Sequence, residues 1–250
     1  MILTPVVPLI NYFGYLFDGA NWHLSGDASI PLHIGEHLLY TVLAIVISAA
    51  IALPVGLLIG HTNRGPFLAI GLGNLGRSLP TFGLVLLLVT WRGVGLIPLT
   101  IALVVLAIPP ILAQTYAGLR SVDRSAVDAA VGMGMRPAQV LFGVEVPMAL
   151  PLILGGLRSA LLQLVATATV AAFGGLSGLG VLLRDGLSQN DYPQIFAGAV
   201  LVALLAIAVD YLGAGVQRLV VSPGVRERRG RRSRRTSSPA VRTADSSSVS

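Results

Sequence analysis

Long apolar stretches alternate with short polar breaks along most of the chain. Leu38 to Ile59 carries no charge over 22 residues. A helix rising about 1.5 Å per residue crosses a hydrocarbon core of about 30 Å in that length. His61 to Gly65 is a polar break containing Arg64, and Pro66 to Trp91 is apolar except for Asn74 and Arg77. After Arg92, Val94 to Leu119 is uncharged over 26 residues, with Pro98, Pro109 and Pro110 inside. Pro147 to Phe173 is apolar apart from Arg158 and Gln163, and Gln194 to Gln217 is apolar with Asp210 toward its end. The pattern predicts an all-α polytopic membrane protein with five spans.

The intervening segments differ in kind. Met1 to Phe17 is apolar but holds Pro5, Pro8, Asn11 and Gly14, without the basic region and small-residue cleavage site of a signal peptide. It reads as an extra N-terminal interfacial helix, with a sixth span as the alternative. Asp18 to Glu36 reads as polar and turn-rich, and Gly174 to Pro193 as a glycine-rich polar connection. From Ser222 the chain turns to Arg, Ser and Thr without apolar periodicity, which predicts disorder. The expected organisation is an extracytoplasmic or interfacial segment at 1–35, a transmembrane domain at 36–221 with a cytoplasmic loop at 120–146, and a disordered cytoplasmic tail at 222–250.

Composition sharpens this picture. Hydrophobic residues make up 54% and charged residues 11%, with a mean hydropathy of +0.80; soluble domains carry about 25% charge. The absence of cysteine excludes disulfides, thiolate metal sites and cysteine nucleophiles. All 17 basic residues are arginine. Without lysine the chain has neither a P-loop nor Schiff-base chemistry. The net charge of +6 belongs to the tail: Met1 to Val221 holds nine arginines and nine acids, whereas Ser222 to Ser250 holds eight arginines and two acids. With the tail in the cytoplasm, five spans put the N-terminus outside. Arg64, Arg120, Arg124 and Arg136 then fall inside, and only Arg92 and Arg184 outside, as the positive-inside bias requires. The tail suits an anionic lipid surface. It has no interleaved aromatics, so nucleic acid is not an expected partner.

The segment Ser121 to Pro147 carries the most information. Asp123 is a predicted N-cap, followed by an apolar stripe of Ala126, Val127, Ala130 and Val131. Gly132 or Gly134 would end that helix, and Pro137 suits the first turn of a second. Val140, Leu141 and Val144 then share a face. Two short amphipathic helices at a bend cannot bury their apolar faces alone and need a partner surface.

These residues resemble a known signature. Asp128-Ala129-Ala130, Gly134 and Val144-x-Val146-Pro147 match the spacing of the EAA motif of ABC importer permeases at every anchor, with Asp128 standing one methylene short of the usual Glu. The string from Gly132 to Pro151 is similar to the osmoprotectant branch, as are Ser78-Leu-Pro-Thr and the stretch Ala171-Ala-Phe to Gly178-Leu-Gly180. The resemblance spans roughly Glu36 to Gly215. It implies a type I ABC importer permease core in a bacterial plasma membrane, importing a compatible solute such as glycine betaine, choline or carnitine. It also implies that the 121–147 loop docks on a cytoplasmic ATPase dimer, with Asp128 facing a basic group there and Gly134 allowing the bend. The chain would then be a transport subunit and not an enzyme, with ATP and Mg on the ATPase and no cofactor of its own. A second permease copy or paralogue and an extracytoplasmic substrate-binding protein would complete the importer.

Other residues are candidates for the substrate path. Arg77 in a span is costly, at least ~2.5 kcal/mol at mid-bilayer on the insertion scale, and so should face the bundle interior or lie near the interface. Asn74, Ser78, Pro80 and Thr81 lie beside it. Gln163 and Thr167 are one turn apart on a common helix face and are further path-lining candidates. Gly174, Gly175, Gly178 and Gly180 could form a re-entrant turn at the outer mouth, a candidate gate; irregular backbone at that depth must be buried in protein or line water. Asp210 could pair across an interface or sit near the cytoplasmic surface. Gly71-x-Gly73-x-x-Gly76 matches a dinucleotide fingerprint in letters only, since no strand precedes it; close span packing is the better reading. His33-x-x-Glu36-His37 matches a zinc-protease pattern, with a third ligand to come from Asp18, Asp27 or another acid. A polar cap before a span is the plainer reading, so no metal is expected. The alternatives to the compatible-solute importer are an ABC importer for another small solute such as an amino acid, an ATP-independent channel or secondary transporter, and a membrane metalloprotease.

Overall fold

The computed structural model describes residues 9–24, 29–67, 71 and 80–221. These residues form helices α1 (Leu9–Phe17), α2 (Ile30–Thr62), α3 (Thr81–Arg92), α4 (Leu96–Arg120), α5 (Arg124–Gly132), the single turn α6 (Pro137–Val140), α7 (Val146–Thr167), α8 (Gly180–Gln189) and α9 (Tyr192–Val220). Gly19–Trp22 and Ala168–Gly174 are 3-10 turns, and Leu141–Glu145 is a π-helical turn joining α6 to α7. No strand occurs among the described residues.

The fold is that of an all-α polytopic membrane protein. Four helical stretches are long and apolar enough to cross a bilayer: α2, α4, the run 137–174 through α7, and α9. The expected second span, Pro66 to Trp91, is represented by the 12-residue apolar helix α3, with 68–70 and 72–79 outside the described residues. The described residues therefore give four full-length candidates and one short helix where five spans were expected. The tail 222–250 also lies outside them.

The stretch Asp18 to Glu36 is not all turn. α2 begins at Ile30, ahead of the expected Leu38. Ser29 caps it by accepting from the Leu32 N–H at 3.3 Å, and Pro31 supplies the fixed φ favoured in a first turn. Polar residues limit how deep a helix sits in hydrocarbon, not where it starts. α2 ends at Asn63, whose φ of 52° is left-handed. α1 lies against the start of α9, with Phe13 packed edge-on to Phe196 at 5.1 Å between ring centroids and Tyr12 at 5.8 Å.

α4 is the central helix. Some 56% of its apolar window is buried, against 17% for α9. Its neighbours α2 and α7 approach at glycines. A Cβ on Gly56 would lie 2.8 Å from Thr115 Cβ, and one on Gly60 2.9 Å from Leu119 Cβ. On the other side, Gly156 faces Gln114 Cβ at 2.6 Å and Gly118 faces Ala149 Cβ at 3.3 Å. Small residues at these crossings let backbones meet where lipid tails offer no hydrophobic driving force. Leu99, Leu103, Ile111 and Leu112 of α4 fill the core with Ala44 of α2 and Leu164 of α7.

Candidate functional site

The 121–145 loop hangs between α4 and α7 at one end of the bundle, the loop end. Asp123 caps α5 by accepting from the Ser125 N–H at 3.0 Å, as its chemistry predicts. Gly134, at φ 84°, ends the helix: its N–H donates to Val131 O at 2.9 Å, and the Met135 N–H donates to Ala130 O at 3.2 Å. This is the Schellman pattern, which satisfies orphan carbonyls through a left-handed residue. Of the two glycines weighed from the sequence, Gly134 is the terminator.

The second helix differs from expectation. α6 is only Pro137–Val140, with the Arg136 N–H donating to Gln139 Oε1 at 2.7 Å. The chain then runs through the π-helical turn straight into α7, so the second helix is the foot of a span. Nothing in the apolar spacing distinguishes a five-residue π turn from an α turn. Such turns are set by packing and recur at functional sites.

The loop has two faces. Val127 and Leu141 pack against a cluster of Leu119, Val122, Ala149 and Ile153, and Ala130 and Val140 are buried. Outward lie Asp128, Ala129, Val131, Met133 and Phe142; Met133 is 76% and Phe142 64% exposed. Val131, expected on the inner stripe, faces outward instead. Val144 is half-buried, and Pro147 occupies the first turn of α7. An apolar, adaptable surface with charged residues such as Asp128 at its edge is a form that partner proteins dock on.

At this end α2 meets the loop. Glu145, the last residue of the π turn, is 8% exposed, and its Oε2 accepts from His61 Nδ1 at 2.5 Å. The sequence reading missed this pair, which joins residues 84 positions apart. It named Arg158 of α7 and Asp210 of α9 without joining them; they form a two-pronged ion pair, Nε to Oδ1 and Nη2 to Oδ2 at 2.5 Å each. The signal was present as two opposite charges in two otherwise apolar spans. Gln217 Nε2 adds a bond to Pro151 O at 3.0 Å.

The far end carries the glycine-rich segment. The 3-10 turn Ala168–Gly174 is followed by Gly175 at φ 79° and Gly178 at φ 106°. Gly174 packs toward Val89 of α3, and Gly178 lies over His37 and Tyr40 of α2. A Cβ on Gly180 would overlap the Thr169 carbonyl oxygen. Gly174, Gly175 and Gly178 thus belong to one irregular segment seated on α2 and α3, and Gly180 follows it as the first residue of α8. His33 Nδ1 contacts Ser177 Oγ at 3.0 Å, and His37 Nε2 donates to Val165 O at 2.9 Å. His33 and His37 of the zinc-protease spacing thus join α2 to this segment and to α7, and no group of three or more metal-capable side chains occurs among the described residues, which exclude Asp27. Leu32, His33, Glu36, Ser177, Arg184 and Asp185 line an open cleft of about 450 Å³ here. Nearby, burial in α1 and the carboxylates Asp191, Asp185 and Asp18 hold the Tyr15 phenol above its ordinary pKa.

Of the path candidates, Asn74, Arg77 and Ser78 lie outside the described residues, as do Gly73 and Gly76 of the glycine pattern. Pro80 is exposed at the start of α3. Gln163 is half-buried and Thr167 buried, on α7 below the irregular segment.

Comparison with known proteins places this architecture. The choline transport system permease protein OpuBB of Bacillus subtilis (strain 168) is 33% identical over 190 residues, covering 76% of this chain and 88% of that protein. The glycine betaine/carnitine/choline transport system permease protein OpuCB of the same organism is 34% identical over 191 residues, covering 76% and 88%. The osmoprotectant import permease protein OsmW of Salmonella typhimurium is 34% identical over 196 residues, covering 76% and 91%. The fold is similar to that of an inward-facing MetNI methionine ABC transporter chain, with a TM-score of 0.69 at 23% identity over 76% of this chain and 95% of that one. A family model described as "binding-protein-dependent transport system inner membrane component" matches residues 52–225, and the chain belongs to that family.

Proposed function

We propose that this chain forms half of the membrane pathway of an ATP-driven importer for a compatible solute of the choline, glycine betaine and carnitine class. As a member of its family it is a transport subunit of the inner membrane and not an enzyme. The solute class rests on the three permeases above, whose names carry choline, glycine betaine, carnitine or osmoprotectants.

The observation that carries the mechanism is the two-faced loop. Its inner face is fastened to the bundle by Val127, Ala130 and Val140, and its outer face presents Asp128, Val131, Met133 and Phe142. In our reading this outer face docks on a separate ATPase dimer, which holds ATP and Mg. Gly134 fixes the bend, and Val144 and Pro147 pass the motion into α7. The loop end and the tail 222–250 then lie in the cytoplasm, and the N-terminal segment 1–35 outside. An extracytoplasmic binding protein delivers the solute, and a second permease copy or paralogue completes the path. Asn74, Arg77, Ser78, Pro80, Gln163 and Thr167 are proposed to line that path, and Gly174, Gly175, Gly178 and Gly180 to form its outer gate. The irregular segment is supported as a gate by its position at the end of α7 opposite the loop.

The test is reconstitution of the chain with its ATPase and binding protein in proteoliposomes. ATP-dependent uptake of labelled choline, glycine betaine or carnitine is expected. Asp128→Arg should strip the ATPase from the purified complex. A wild-type chain that retains no ATPase in mild detergent and lipid would overturn the importer reading and favour an ATP-independent transporter.

A further inference from the structure

α2 is tied to α7 at both of its ends by histidines. At the loop end His61 Nδ1 and Glu145 Oε2 lie 2.5 Å apart in a hydrogen bond. At the far end His37 Nε2 donates to Val165 O at 2.9 Å. Val165 lies in the last turn of α7, just before the 3-10 turn. His37 is wholly buried, and Glu145 nearly so. Burying a carboxylate is costly unless it is well bonded, and an apolar side chain of similar size would fill the same space more cheaply.

The position of Glu145 gives the contact its meaning. It ends the π turn through which the loop enters α7. Along the chain the loop joins α4, through Arg120 to Asp123, and α7, and its Val127 and Leu141 share an apolar cluster with Leu53 and Leu57 of α2. α2 has no covalent link to the loop and meets α4 through the Gly56 and Gly60 seam. A displacement entering at the loop reaches α7 directly and reaches α2 through apolar packing at Leu53 and Leu57, which can slip, and through the His61 bond, which fixes one atom against another.

We infer that the His61–Glu145 bond is a latch that makes α2 and α7 one lever, carrying loop displacement from the loop end to the irregular glycine segment on which His37, Gly178 and Tyr40 meet. Glu145 is thus a positioning residue for coupling. The inference rests on the importer reading.

The test uses the full complex of permease, ATPase and binding protein in proteoliposomes, with labelled choline as the probe. Three quantities are read: ATPase retained on purification, basal ATP hydrolysis, and choline taken up per ATP hydrolysed. Glu145→Ala is expected to keep the first two and to lower the third at least fivefold. The exchanged pair His61→Glu with Glu145→His should restore at least half of the lost ratio, a recovery that a space-filling role would not give. If Glu145→Ala fails to reach the membrane, His61→Ala, at a partly exposed helix end, reads the same ratio. An unchanged ratio in the single variant, or a lost ratio that the exchange leaves unrestored, overturns the latch. A wild-type chain that recruits no ATPase overturns the importer reading beneath it and is a separate outcome.

Discussion

Gly155 and Gly156 stand side by side in α7 and should answer the same substitution with opposite signs. Alanine at either position removes the entropic cost of a helical glycine, a gain of about 0.5–1 kcal/mol. At Gly155 a Cβ meets nothing within 4 Å, so that gain should appear in full. At Gly156 it would lie 2.6 Å from Gln114 Cβ, 3.2 Å from Gln114 Cγ and 3.3 Å from the Pro110 carbonyl oxygen. Gln114 Cβ is the root of its side chain and cannot rotate away. Carbon atoms rest about 3.5–4.0 Å apart, so α4 and α7 must part by about 1 Å. Overpacking of this kind costs about 1–3 kcal/mol. The two variants should therefore differ by about 1–3 kcal/mol, with Gly155→Ala above wild type. Thermal unfolding in a single detergent reads this directly. On the scale of domains this size, Gly156→Ala should melt about 2–12 °C below Gly155→Ala. Equal midpoints would refute the backbone-distance seam between α4 and α7. A drop in Gly155→Ala would refute the open face beside it.

Three further outcomes follow from the geometry. Gly134→Ala meets no neighbouring atom, so its cost is the left-handed backbone alone, about 1–2 kcal/mol; Gly134→Asn should recover much of it, read as thermal midpoint and as ATPase retained on the complex. Arg158→Leu strands Asp210 in an apolar span and should lower folded yield several-fold, whereas Arg158→Leu with Asp210→Leu should restore it, as size-exclusion profiles would show. Gly180→Ala sets a Cβ 2.7 Å from the Thr169 carbonyl carbon, which is backbone, so it should displace the 168–180 segment and abolish choline uptake while leaving the ATPase bound.

Local chemistry was legible in the sequence, and long-range chemistry was not. Asp123 and Gly134 act within a few residues of themselves, so their capping roles could be read from the letters. The apolar runs announced the spans, but not the start of α2, because Ser29 and Pro31 open a helix well before its hydrocarbon-facing part begins. The π turn at Leu141–Glu145 leaves no trace in periodicity, and with it went the true form of the second loop helix. His33 and His37 matched a metal pattern in spacing, yet one ring nitrogen of each meets Ser177 or Val165, residues that only the tertiary fold brings near. Arg158 and Asp210 were each noticed as out of place in a span; what was missing was that they are each other's explanation.

The glycine seams beside α4 also bear on how the protein meets its bilayer. α2, at 33 residues, is about 50 Å long, far more than a hydrocarbon core of about 30 Å. Helices that touched through long, pliant side chains could slide past one another and share such a mismatch. Helices meeting at Gly56, Gly60, Gly118 and Gly156 are keyed like teeth and resist sliding. A thicker or thinner membrane therefore meets helices that resist sliding along these seams, and the lipid around them must stretch or compress to follow.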